Sequence, residues 1–312
     1  MRGRGGARGG RAPSAPWSRL KPVELDPLES MGLPSKGDNR LLDFKTQERY
    51  YTKIVERYMT FCSDAGERDE LLRRFASLHL SSTDANANAN ANANTAPSRS
   101  RPGQSPHPAP SPAQPASKAL ADILSALRKL REGIVASKRV DDFATQAYLF
   151  CIRLAVLVKH PESYHPAILH LLRRIQPVHG MTTVELSEVT SYLVLDTACR
   201  RNNLEEAFAL RRRYRLRDSK VDAVLDALTH DNYVKFMRLK QRVDRHRAKL
   251  LEYAEGAMRQ HLLKCFGRTY LSVDLSFLEA CAGSAWPRLV AEDGVGWELD
   301  GSKVVIRKVK AR

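Results

Sequence analysis

The sequence predicts an all-α body of stacked antiparallel helices, closed at its C-terminal end by a small α+β unit. Three observations carry this. From Lys118 to about Arg268, apolar residues recur at three- and four-residue steps, stripe after stripe. Short polar turns with capping residues separate the stripes, so neighbouring helices are antiparallel and stack as a helical repeat. Beyond residue 268 the pattern changes to a strand, two short helices and a hairpin.

Residues 1–16 form an Arg-Gly tail, with Arg2, Arg4, Arg8 and Arg11 among glycines. Glycine maximises backbone entropy and nothing here can be buried, so disorder is expected. Such tails meet phosphates through their charge. Residues 17–80 read as an arm followed by helices. Trp17, Leu20, Pro22 and Leu25 suit an extended arm docked on the body. Tyr50, Tyr51, Ile54, Tyr58 and Phe61 fall on one helical stripe, and Leu71, Leu72, Phe75 and Leu78 suggest a second helix. Residues 81–117 are an Ala/Asn/Pro/Ser linker, in which seven prolines follow an Ala-Asn repeat. Such a stretch buries too little surface to become ordered.

The helical repeat occupies residues 118–268. Leu120, Ile123, Leu124, Leu127, Leu130 and Ile134 make its first stripe, and Phe143, Ala147, Phe150, Cys151, Leu154 and Val158 a wider one. His165-Pro166 is expected to open a helix through Ile175, and a further helix is expected from Glu185 to Cys199. Asn203 and Asp218 are expected N-caps, with Glu205 and Glu206 complementing the helix dipole after Asn203. Asp231-Asn232 forms the next turn. One long helix is then expected from Phe236 to Cys265. Residues 269–312 form the terminal unit. A β-like piece covers Thr269–Val273, Asp274 caps a helix through Ala282, and Trp286–Glu292 is a second helix. Asp300-Gly301 should turn a hairpin between Trp297–Leu299 and Lys303–Arg307. Strand, two helices and hairpin together make a winged helix.

Composition narrows the chemistry. The formal charge is +16, which favours acidic partners such as nucleic acid. Cys62, Cys151, Cys199, Cys265 and Cys281 are widely spaced on apolar helical stripes, so they read as reduced core residues of an intracellular protein. No signal peptide or membrane-length apolar run is visible, and the expected location is the nucleus, the cytoplasm or both. No Gly-rich phosphate loop, Cys-x-x-Cys pair or Gly-x-Ser-x-Gly elbow occurs. His160, His165 and His170 are five apart and turn away from a common helix face. Glu188 and Asp196 share a helical side without a partner motif, and Glu205-Glu206 reads as ordinary helix-start charge. The expectation is a protein without enzymatic activity, cofactor, metal or small-molecule substrate.

Two sets of residues remain as candidates. The hairpin supplies Trp297, Leu299, Val304, Val305 and Ile306 for binding a protein partner at an exposed sheet edge. The basic runs supply Arg238, Arg242, Arg245, Arg247, Lys303, Arg307 and Lys308 for nucleic acid, beside the dense Arg211–Arg217 run.

The helices-then-winged-helix order resembles the PCI-type domain. The resemblance is carried by Asp231–Phe236, by Gly267–Asp274, by Glu292–Trp297 and by Val304–Arg307. It is similar to the group shared by a small COP9 signalosome subunit, a proteasome lid subunit and the k subunit of eukaryotic initiation factor 3, together with the SAC3/GANP proteins of mRNA export. The Arg-Gly tail and the Trp17–Pro22 arm are similar to uncharacterised fungal members. The resemblance implies a scaffold subunit that binds other subunits of a multiprotein complex. Its mRNA-export branch implies an RNA- or DNA-associated adaptor. The linker and the tail depart from the lid and initiation-factor subunits.

Overall fold

The computed structural model describes residues 26–63 and 113–307, with side chains described from Lys118 onward in the second segment. The Arg-Gly tail, the Trp17–Leu25 part of the arm, the helix expected at Leu71–Leu78, most of the linker and Lys308 lie outside the described residues. Among those described are eleven α-helices and one three-stranded antiparallel sheet. No described helix is long and apolar enough to cross a membrane.

Residues 26–42 dock on the body, through turns and short 3-10 segments rather than as an extended arm. Leu28 and Leu41 are buried, and the Tyr50 hydroxyl donates to the Leu28 carbonyl at 2.9 Å. Gly133 is required here, because a Cβ would lie 2.7 Å from the Leu41 carbonyl oxygen.

The helical body begins with α1 (Phe44–Ser63), which packs on α2 (Ala113–Ala136). Tyr50, Ile54 and Phe61 form the buried stripe of α1. The Asp141 side chain caps α3 (Asp142–Leu157) by accepting from the Ala144 amide. Ten of the sixteen residues of α3 are buried, the pattern of a helix covered on most sides. It packs on α4 (Pro161–His170). That helix starts five residues earlier than His165-Pro166 suggested. Pro161 takes the first helical position, where a missing N–H costs nothing, and Pro166 lies inside the helix.

Helix α4 runs into a π-helical turn, Leu171–Ile175. A capping box between Thr182 and Glu185 opens α5 (Thr183–Leu195), which ends in a second π-helical turn, Asp196–Arg200. Asn203 caps α6 (Leu204–Arg213), Asp218 caps α7 (Ser219–Thr229) and Asn232 caps α8 (Tyr233–Arg242), each by a side-chain oxygen accepting a backbone amide. Helices α5 and α6 pack together, as do α7 and α8.

The single long helix expected from Phe236 is two helices. The chain turns extended at Val243, and Asp244 accepts from the Arg247 amide to start α9 (Arg245–Thr269) afresh. Apolar spacing continues across the break, which is why the stripe hid it. Helix α9, roughly 37 Å long at 1.5 Å per residue, packs against α3, α5, α8 and the Asp196–Arg200 turn. It is the strut of the body.

The last turns of α9 also supply Leu263 and Phe266 to a second, smaller core. Around them lie β1 (Ser272–Asp274), α10 (Leu275–Ala282), α11 (Trp286–Ala291), β2 (Glu298–Asp300) and β3 (Lys303–Val305). The strand order is β1-β3-β2, so the middle strand is the last in sequence. The hairpin turn is Gly301-Ser302, one residue later than Asp300-Gly301, because Asp300 pairs with Lys303 inside the ladder. Gly301 has φ +56, the left-handed region that such a turn needs. Asp274 occupies the N-cap position of α10, but its side chain makes no cap hydrogen bond.

Beside the apolar contacts of Leu263 and Phe266, two polar contacts tie this unit to the body. The Tyr233 hydroxyl donates to the Ala282 carbonyl, and Arg259 of α9 pairs with Asp293 at 3.0 Å.

Candidate functional site

The sheet register sorts the five hairpin candidates. Directly opposed residues share a face, so Val273, Val304 and Leu299 line the face turned to the small core. Val304 in the middle strand is fully buried and unavailable to a partner, which corrects its place among the contact residues. Leu299 lies on the edge strand beyond the cover of that core and stays 44% exposed. Trp297 and Ile306 are half-buried and packed against the core, and Val305 is half-buried on the opposite face.

The exposed apolar surface of the unit continues onto residues the sequence reading had passed over. Tyr270 and Phe277 are exposed, and both rings contact the Phe266 ring, at 5.2 and 6.0 Å between centroids. Leu271 and Val290 are exposed as well. The signal for Phe277 was available: it falls off the Leu275–Leu278 side of a short amphipathic helix.

The charge is not distributed as expected. Residues 118–269 carry 28 Lys and Arg against 17 Asp and Glu, whereas residues 270–307 carry three against six. The helical body is the basic part and the described C-terminal unit is acidic. Lys303 and Arg307 are exposed but sit within that acidic unit, with the Arg307 guanidinium on the Arg268 carbonyl.

Within the body, pairing decides which cations are available. Arg247 is not: its side chain is 14% exposed and pairs with Asp218 at 2.7 Å and Asp244 at 3.2 Å, while also donating to the Ser191 hydroxyl. It is a clamp between the α7 cap and the α9 cap. Arg211 is likewise engaged by Asp222, Lys235 by Asp226 and Lys240 by Glu255. The Arg247 clamp, together with the Lys220 ammonium on the Arg242 carbonyl, draws the start of α7 to the α8–α9 break. Arg217, Lys220, Arg242 and Arg245 meet there, and none has a carboxylate partner within 4 Å among the described residues. Arg238 is exposed one turn back on α8. The structure therefore joins two basic runs at one end of the body and leaves the Lys303–Arg307 run apart.

The remaining titratable candidates are structural. His165 stands 3.3 Å from Asp196, His170 stacks on Tyr148, and His160 precedes α4. Glu188, for which no partner was foreseen, forms two hydrogen bonds with Arg153 and accepts from the Tyr192 hydroxyl. Burial opposes its charge, yet those donors outweigh it and hold the carboxyl below the usual range. Asp196 is fully buried, between Tyr164 and Arg200. Cys151 and Cys199 are buried, whereas Cys265 is exposed, against the expectation that every cysteine lies on an apolar stripe. Neither a family model nor a curated protein matches this chain.

Proposed function

We propose that the protein is a non-catalytic scaffold subunit of a nuclear or cytoplasmic multiprotein complex. Its body is a helical repeat, and its C-terminal unit is a winged helix that holds a neighbouring subunit. One observation carries this reading. Among the described residues thirteen large hydrophobic side chains are exposed, and five of them, Tyr270, Leu271, Phe277, Val290 and Leu299, fall within 38 residues of the terminal unit. Apolar surface gathered on so small a unit is the mark of a protein interface. The resemblance to PCI-type scaffolds, on the Gly267–Asp274 and Val304–Arg307 blocks, supports it.

Leu299→Asp is the test. It places a charge on the edge strand without entering the small core. Affinity purification of the full chain is expected to lose its co-purifying subunits while the melting temperature stays unchanged. Undiminished co-purification would reject the reading.

The convergence of Arg217, Lys220, Arg242 and Arg245 favours a second role, as an adaptor that also holds RNA or DNA, as in the mRNA-export branch of the resemblance. Each phosphate contact releases counterions, so binding weakens steeply with salt. For a 20-nucleotide single-stranded RNA, Arg242→Glu with Arg245→Glu is expected to lower both affinity and the log–log salt slope, the slope by about two. Anisotropy titrations at several salt concentrations measure both. Affinity indifferent to salt and to this pair would remove the second role.

A further inference from the structure

Beside the basic end of the body lies a cleft of about 510 Å³, between the first turns of α5 and α9. That volume is within the ~300–1,000 Å³ span of small-ligand sites. Its lining includes Ser187 and Val184 from α5, and Asp244 and His246 from the α8–α9 break. His246, its side chain 27% exposed, gives it aromatic surface, and the buried Tyr192 ring supports that imidazole, with ring centroids 5.9 Å apart and planes tilted by 36°. Burial lowers the His246 pKa, so at neutral pH the ring is an uncharged, flat surface; Asp244 and Glu188 pull the other way and Arg153 and Arg245 assist. Glu188 also lines the cleft. Glu188 Oε1 is filled by Arg153 Nε and the Tyr192 hydroxyl, whereas Glu188 Oε2 holds only Arg153, and the Asp244 oxygens hold the Arg247 amide and guanidinium, so these three oxygens each keep a second lone pair to offer. Arg245 follows the lining residue Asp244 directly and Arg242 precedes it by two residues, so both cations lie close to the cleft while outside its lining.

A flat, partly aromatic cleft beside a row of cations suits one unstacked nucleobase whose flanking phosphates stay outside. Two acceptor-rich carboxylates suit a base with an exocyclic amino group. We propose that this cleft takes a single amino-bearing base, adenine, cytosine or guanine, of a single-stranded nucleic acid whose backbone lies on Arg217, Lys220, Arg242 and Arg245. The proposal rests on the nucleic-acid role above and adds the base site to it.

The test uses the full chain with oligo-A, oligo-C and oligo-U ten-mers in anisotropy titrations at one salt concentration. Oligo-A and oligo-C are expected to bind more tightly than oligo-U. Ser187→Phe fills the cleft and is expected to weaken oligo-A binding by about tenfold, the worth of one stacked base, with oligo-U little changed. Val184→Trp, at a position 74% exposed, narrows the mouth without threatening the fold and is expected to act in the same direction. Wild-type affinity for oligo-A in both variants, or equal binding of all three oligomers, overturns the base site. If Arg242→Glu with Arg245→Glu weakens all three equally while the cleft variants do nothing, the phosphate surface stands and only the base site falls. If no oligomer binds and a poly-glutamate peptide does, the surface serves an acidic protein, and both nucleic-acid readings fall.

Discussion

Asp196→Ala is expected to destabilise the helical body by about 3–5 kcal/mol, the cost of breaking a buried pair by removing one partner. Asp196 is fully buried at the π-helical turn that ends α5. Its carboxylate accepts from the Tyr164 hydroxyl at 2.6 Å and from Arg200 Nε and Nη2 at 2.6 and 2.8 Å. The consequences for the two donors differ. Tyr164 is itself fully buried, so its hydroxyl would lose its charged acceptor away from water and keep only the neighbouring Tyr253 hydroxyl. Arg200 retains 27% side-chain exposure and can turn outward, which holds the loss toward the lower end of that range. Burial, followed by the Asp196 charge, already pushes the Tyr164 hydroxyl well above its ordinary pKa, so it remains a neutral donor. Tyr164→Phe removes one donor and leaves the carboxylate on Arg200, and about 1 kcal/mol is expected. Urea unfolding of the two variants measures both losses. An Asp196→Ala loss below that of Tyr164→Phe would show that the network does not carry the turn.

Two caps of the helical body, Asn203 and Asp218, were legible in the sequence, and Asp196 was not, for a physical reason. A cap is local: these two satisfy amides two or three residues away, so their role can be read along the chain. Tyr164 lies 32 residues from Asp196, and the Arg247–Asp218 clamp spans 29 residues, so each is fixed only once the helices have packed. The same limit misassigned Arg247 to a nucleic-acid face. The α8–α9 break is an intermediate case. Asp244 is a good N-cap residue, but apolar spacing on either side continued through it and outweighed a single polar signal. In the terminal unit the strand–helix–helix–hairpin order was visible from period changes together with the Asp274 and Asp300-Gly301 signals. Which hairpin side chain is buried depends on β3 being the middle strand, and no local pattern reports strand order.

Arg259→Ala is expected to release the C-terminal unit from the body and to abolish partner capture without altering any residue of the sheet. Arg259 and Asp293 are 7% and 5% exposed, and their pair at 3.0 Å ties the strut helix α9 to the loop that leads into β2. Glu255 stands 3.5 Å from Arg259 on its other side and also holds Lys240 of α8, so the chain of charges crosses from body to unit. Loss of Arg259 strands the Asp293 carboxylate in a site that excludes water, a cost of about 3–5 kcal/mol. The small core around Leu278, Leu289 and Val304 is separate from the main one, so the cost falls on opening the unit rather than on the body. Hydrogen exchange should therefore quicken at the amides of Val273 and Val304 and stay slow in α3 and α5. Replacing both partners, Arg259→Met with Asp293→Leu, removes the stranded charge and should restore much of the protection. If the unit binds its partner through a rigidly presented edge, capture follows protection across the three proteins. Capture that survives in Arg259→Ala while protection is lost would mean that the partner itself orders the unit, and the interface would then be one formed on binding.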